Sequence, residues 1–184
     1  MSMPGVDGQG MIDLRDLAKR AKGLDVAAFE KTYNVPALLV VPPDPGQLLE
    51  EAAAESGEEG FGFNTVRLSG AGAAARFEGR VLFLEKSTRN PFGYMISLGR
   101  AANNDVVLNV EAVSKMHGTF TKVGNDWTYA DHNSTNGSFL NGTQLKPQDK
   151  QKIRSGDKLR FGRKLTAIYL DPRGLFERVR AEPV

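Results

Sequence analysis

Leu98-Gly99-Arg100, Asn104-Asp105-Val106, Val113-Ser114-Lys115-Met116-His117 and Ser134-Thr135-Asn136-Gly137-Ser138-Phe139-Leu140-Asn141-Gly142 follow one another along one stretch of the 184-residue chain. Brief β-prone runs alternate there with polar, glycine-bearing turns, and the alternation continues outward on both sides. Residues 81–84 and 94–98 precede or open the stretch. Residues 105–108, 118–123, 127–130, 138–140, 143–145, 158–161 and 165–170 carry it on, all reading as short strands. Turn signals divide them: Asn104-Asp105, Gly124-Asn125-Asp126, Asn136-Gly137, Asn141-Gly142 and Gly156-Asp157. No helical segment long enough for a βαβ crossover intervenes, so the pattern predicts an all-β fold, an antiparallel β-sandwich. Pattern alone leaves immunoglobulin-like, jelly-roll and other sandwiches equally open.

Ahead of Arg80 the grammar differs. Residues 1–10 read as disordered. From Ile12, the apolar positions Leu14, Leu17, Ala18 and Ala21 keep helical spacing as far as Gly23, and Asp25 is placed to cap a second short helix over Val26–Tyr33. Pro36, Pro42, Pro43 and Pro45 impose extended or turn conformation. Gln47–Glu55 reads as a further helix, and residues 56–80 as a Gly/Ala-rich connector. These helices carry too few large apolar residues for a core of their own. The expected division is therefore an N-terminal extension over 1–79, partly helical and partly flexible, a sandwich over 80–172 and a C-terminal tail over 173–184.

Composition narrows the chemistry. The chain has no cysteine, which removes disulfides, thiolate metal sites and thiol nucleophiles together. His117 and His132 are the two histidines, too few for a histidine-rich metal site. The longest aliphatic run, Leu38-Leu39-Val40-Val41, is far too short to span a bilayer, and no secretory signal is legible, so a cytoplasmic protein is expected. The net charge of +2 hides an asymmetry: residues 1–80 hold eight Lys/Arg against twelve Asp/Glu, and residues 81–184 hold sixteen against ten. A basic C-terminal half suits an anionic partner. It shows no aromatic-plus-basic stripe or reading motif, so nucleic acid is not the expected one.

The motifs quoted above, in that order and spacing, resemble the forkhead-associated (FHA) domain, and Ser155-Gly156-Asp157-Lys158-Leu159 and Phe161-Gly162 are similar to its closing strands. The resemblance covers about residues 80–172. It implies a β-sandwich of about eleven short strands that binds phosphothreonine peptides through loops at one end, without catalysis or cofactor. It further implies that the positions of Arg100 and Ser114 hold the phosphate, that of Asn136 grips the peptide backbone, and that His117 is architectural.

The residues suit that task on their own chemistry. A phosphothreonine carries between one and two negative charges and three oxygens that only accept hydrogen bonds. Arg100 offers a planar fork of donors charged at any physiological pH. Ser114 and Thr135 offer hydroxyls, Lys115 a mobile charge and Asn136 an amide for phosphate or ligand main chain. Gly99 and Gly137 are read as turn formers supporting the site. A Ser114–His117–Asp131 triad is the enzymatic alternative, but no Gly-x-Ser-x-Gly elbow accompanies it. Trp127 reads as a half-buried strand residue and His132 as exposed. The expected partner is a phosphothreonine-containing protein, a Ser/Thr kinase or its substrate; a phosphate-independent interaction module of the same fold is the alternative. The chain's own extension is a second candidate ligand, because Thr32 and Thr65 each precede an aliphatic residue by three positions.

Overall fold

Ala37-Leu38-Leu39-Val40-Val41 is apolar at every position, where a strand with one face in water would alternate. The computed structural model, which describes residues 3–44 and 74–183, shows why. This strand, β2 (Ala37–Val41), lies inside a seven-stranded sheet covered on both faces. The sheet runs β1 (Met11–Asp13), β3 (Arg80–Phe83), β2, β12 (Leu165–Leu170), β11 (Lys158–Phe161), β8 (Ser138–Leu140) and β9 (Thr143–Gln144). A second sheet of five strands runs β10 (Gln151–Ile153), β7 (Asp126–Asp131), β6 (Gly118–Val123), β4 (Ile96–Gly99) and β5 (Val106–Val107).

Both sheets feed one apolar core. Leu38 and Val40 of β2 enter it with Leu82, Leu98, Phe120, Tyr129, Leu159 and Phe161. Each such side chain removed from water contributes roughly 1.5–3 kcal/mol. Ala37 and Leu39, on the opposite face of β2, join a second core with Val81 and Phe83 beneath three helices. These are α1 (Leu14–Ala21), α2 (Val26–Thr32) and α3 (Pro172–Arg180). α1 buries Leu14, Leu17, Ala18 and Ala21, a single stripe at helical spacing. Aspartates cap all three: Asp13 accepts the Arg15 N–H, Asp25 the Ala28 N–H at 2.8 Å, and Asp171 the Gly174 N–H at 2.7 Å, with Pro172 in the first turn of α3.

Three expectations meet a different arrangement. Residues 11–13 and 37–41, placed by sequence in an extension, are strands of the larger sheet, and β2 separates β3 from β12. The helices need no core of their own because the outer face of that sheet supplies the other side of it. Much of the C-terminal tail is α3, packed against α1 and α2. The antiparallel rule also has an exception, since β4 and β5 pair in parallel with Leu98 opposite Val106. β5 pairs only with the last two residues of β4, so the Arg100–Asp105 loop has only to turn the chain back by about that length. The helix expected at Gln47–Glu55, most of the connector, and Thr65 lie outside the described residues. Among those described, no helix is long and apolar enough to cross a membrane.

Turn chemistry sets two hairpins. Asn141 and Gly142 both have positive φ (49° and 86°) between Leu140 and Thr143, the two-residue turn that Asn-Gly favours. Gly124, φ 61°, opens the turn between β6 and β7.

Candidate functional site

Arg100 follows directly on β4, at the start of a loop that its own backbone ties down. Its N–H donates to the Ser114 carbonyl at 2.9 Å and the next N–H, of Ala101, to the Lys115 carbonyl at 3.1 Å. Its Nε donates to the Val113 carbonyl at 3.2 Å. The guanidinium is thus held by one nitrogen on an exposed residue. Asn104 locks the same pair of loops: its Nδ2 donates to the carbonyls of Ala101 (2.8 Å) and Lys115 (2.7 Å). The two strands of chain pass so closely that a Cβ on Gly99 would strike the Lys115 carbonyl oxygen. Gly99 therefore serves close approach, where the sequence suggests a turn; it is the last residue of β4.

Ser114 is held from beneath by His117. The fully buried imidazole accepts the Ser114 N–H on Nδ1 at 3.1 Å, so its proton sits on Nε2, 3.9 Å from Asp131 Oδ2. Burial lowers the His117 pKa below its ordinary 6.5, opposed by the Asp131 charge and the Gly137 carbonyl. The Ser114 hydroxyl accepts the Thr135 N–H at 3.0 Å and lies 3.4 Å from the Thr135 hydroxyl. Because His117 bonds the serine backbone and not its hydroxyl, this is not the geometry of a nucleophilic triad.

The third loop is organised by Asp131, which the sequence offered only as a triad partner. Its carboxylate accepts from the Ser134 N–H (2.9 Å), the Ser134 hydroxyl (2.6 Å) and the Ser138 hydroxyl (2.6 Å). Tyr129, its phenol pushed well above the ordinary range by burial, donates to Ser138 Oγ at 2.8 Å. Gly137 takes φ 73°, as a glycine in such a turn permits, and accepts the Gly162 N–H on its carbonyl. Asn136 Nδ2 donates to the Ala112 carbonyl at 3.0 Å, which leaves Oδ1 without a partner among the described residues. Arg100, Ser114, Thr135 and Asn136 are thereby joined through one hydrogen-bonded set of loops. Lys115, exposed, flanks them. His132, expected to be exposed, is half-buried with Nε2 at 3.0 Å from the Thr119 hydroxyl.

A further carboxylate entered the sequence reading only as part of a motif and a turn signal. Asp105 is buried and accepts from Lys86 (3.0 Å), the Ser87 and Ser97 N–H groups (2.9 and 2.8 Å) and Asn90 (2.7 Å). Burial alone would raise its pKa, but these donors together hold it below the ordinary carboxylate value. Its signal was its place in the Asn104-Asp105 pair, read as a turn. Thr32, the last residue of α2, uses its hydroxyl on the Ala28 carbonyl at 2.9 Å, on the helical side of the larger sheet.

This set of loops lies wholly within one stretch of chain, and that stretch has relatives. Residues 96–162 match the FHA domain family. FHA domains are interaction modules. Solved structures similar to the chain include the FHA domain of an Arabidopsis thaliana hypothetical protein, at 17% identity and TM-score 0.48, covering 74% of this chain and 85% of that one. An FHA domain from Chlamydia trachomatis is 14% identical with TM-score 0.46, covering 74% and 97%. Mycobacterium tuberculosis EmbR, solved in complex with a low-affinity phosphopeptide, is 22% identical with TM-score 0.39, covering 42% of this chain and 20% of EmbR. The chain thus spans about a fifth of EmbR's length. No match was found among the curated proteins. The FHA match begins at β4 and ends at Gly162, so β1, β2, β3, β12 and helices α1, α2 and α3 lie outside it.

Proposed function

We propose that this protein binds phosphothreonine peptides at the loops around Arg100, on an FHA-type β-sandwich, and catalyses nothing there. The observation that supports the reading is the tie of Arg100 to the Ser114 turn through the Val113 and Ser114 carbonyls, with the Ser114 hydroxyl in turn bonded to Thr135. Donors face outward while the buried carboxylates, Asp105 and Asp131, are turned inward and saturated. That is the polarity a phosphate requires. Arg100 and Ser114 take phosphate oxygens, with Lys115 adding charge. The 3.4 Å contact between Ser114 and Thr135 is weak, so a phosphate displaces it at little cost. Asn136 Oδ1 accepts a ligand main-chain N–H. Gly99, His117 and Gly137 support the loops without touching ligand.

The partner on this reading is a separate phosphothreonine-bearing protein, a Ser/Thr kinase or its substrate. Thr32 is committed to α2 on the helical side and is a poor internal ligand. The test is calorimetric titration with a phosphothreonine peptide library and its unphosphorylated twin. Heat only from the phosphorylated pool is the expected result. Equal binding of both pools would replace the reading with a phosphate-independent interaction module.

A further inference from the structure

We infer that the phosphate clamp continues into a second anion subsite, built by Arg76 and Arg80, which takes an acidic or phosphorylated residue close to the phosphothreonine. This rests on the phosphothreonine reading above. A cleft of about 480 Å³ opens beside Arg100, between the β1–β3 edge of the larger sheet and β5, the end strand of the smaller one. Arg76, Arg80 and Arg100 all line it. Arg80 shares the face of Leu82 on β3, the face turned to the space between the sheets, and lies where that space opens to water. Arg76 donates Nη2 to the Asn109 carbonyl and lies over the Phe77 ring at 5.0 Å. Neutral groups hold it in place.

None of the three guanidinium groups forms an ion pair among the described residues. Asp7 also lines the cleft, but its carboxylate caps the Gln9 and Met11 N–H groups at 2.9 Å and pairs with no cation among the described residues. Three cations around one concave surface repel one another and concentrate anions. One phosphate on Arg100 leaves two planar forks facing the same space, each suited to a carboxylate or a phosphate. Arg76, Arg80 and Arg100 line the same cleft, so an extended peptide, advancing roughly 3.3 Å per residue, carries the second anion close to the phosphothreonine.

The experiment uses the full chain and peptide libraries with a fixed phosphothreonine and degenerate flanks, captured and sequenced. One library carries Asp and Glu in the flanks, a second carries phosphoserine, and a third has plain threonine at the centre. The expected result is several-fold enrichment of an acidic or phosphorylated residue at one position in the flanks of the phosphothreonine. Comparing the first two libraries tells carboxylate from phosphate. Arg76→Ala with Arg80→Gln should erase the enrichment while other phosphothreonine sequences are still captured, and Arg76→Lys with Arg80→Lys should keep part of it; thermal melting confirms folding of both. Capture of the phosphothreonine library with no acidic preference overturns the inference and leaves the clamp standing. Failure to prefer phosphothreonine over threonine overturns both.

Discussion

Arg100 reaches solvent from a backbone position fixed by three hydrogen bonds, of which only the Nε bond to Val113 depends on its side chain. Arg100→Ala therefore leaves the fold intact and removes the charge from the ligand. A loss of about 2–5 kcal/mol in phosphopeptide affinity is expected, with an unchanged melting temperature. Binding as tight as that of the parent would place the phosphate elsewhere. His117 has the opposite character, because its imidazole is buried and acts through the Ser114 turn. Its folded pKa is depressed by burial, so as pH falls through 6.5 the unfolded chain takes up the proton first. The stability held by neutral His117 is full above that value and is lost as pH drops toward the lower folded pKa. Melting temperature should thus fall below pH 6.5, and His117→Ala should be less stable and lack that part of the slope. Stability is the better readout, since the second ionisation of a ligand phosphate, near pKa 6, falls in the same window. A slope that persists in the alanine variant would assign it to another group.

Among the elements, the loop between β3 and β4 gathers its hydrogen bonds on a single side chain from outside it. Asp105 gathers Lys86, Ser87, Asn90 and Ser97 onto one carboxylate and, through its carbonyl, the Arg89 guanidinium at 2.9 Å. Asp105→Ala keeps the carbonyl but strands the donors on the carboxylate, including the half-buried Lys86, and should cost about 3–5 kcal/mol of folding stability in a denaturant titration. A cost below 1 kcal/mol would mean that the network is no stronger than a surface ion pair. The strands themselves were largely legible: β6, β8, β11 and β12 span the residues their pattern marks. β10 was not, because of Gln151, Lys152 and Ile153 only the isoleucine is buried, and no alternation betrays a strand. The Asn141-Gly142 hairpin was legible because positive φ at two consecutive residues selects those residue types.

At the scale of the whole molecule, the matched FHA segment is embedded in a larger unit. Removing everything before Gly79 would delete β1, β2, α1 and α2, leave β3 and β12 without the strand between them, and open both cores. A chain starting at Gly79 should show no cooperative thermal transition, whereas the full chain should melt as one unit. A folded truncation that binds phosphopeptide would show that the outer elements are dispensable. What the sequence determined by itself were the local things: the strands with one face in the core, the hairpin turns, the Asp25 cap, and the order in which Arg100, Ser114 and Asn136 occur. Each depends on residues within a few positions of one another. Only the tertiary structure decided that Ala37–Val41 is a central strand, because burial on both faces erases the alternation that would have announced it. Likewise Asp105 and Asp131 became hubs, and Arg76 and Arg80 came to line one cleft with Arg100, through contacts between residues far apart in the chain, which no local pattern encodes.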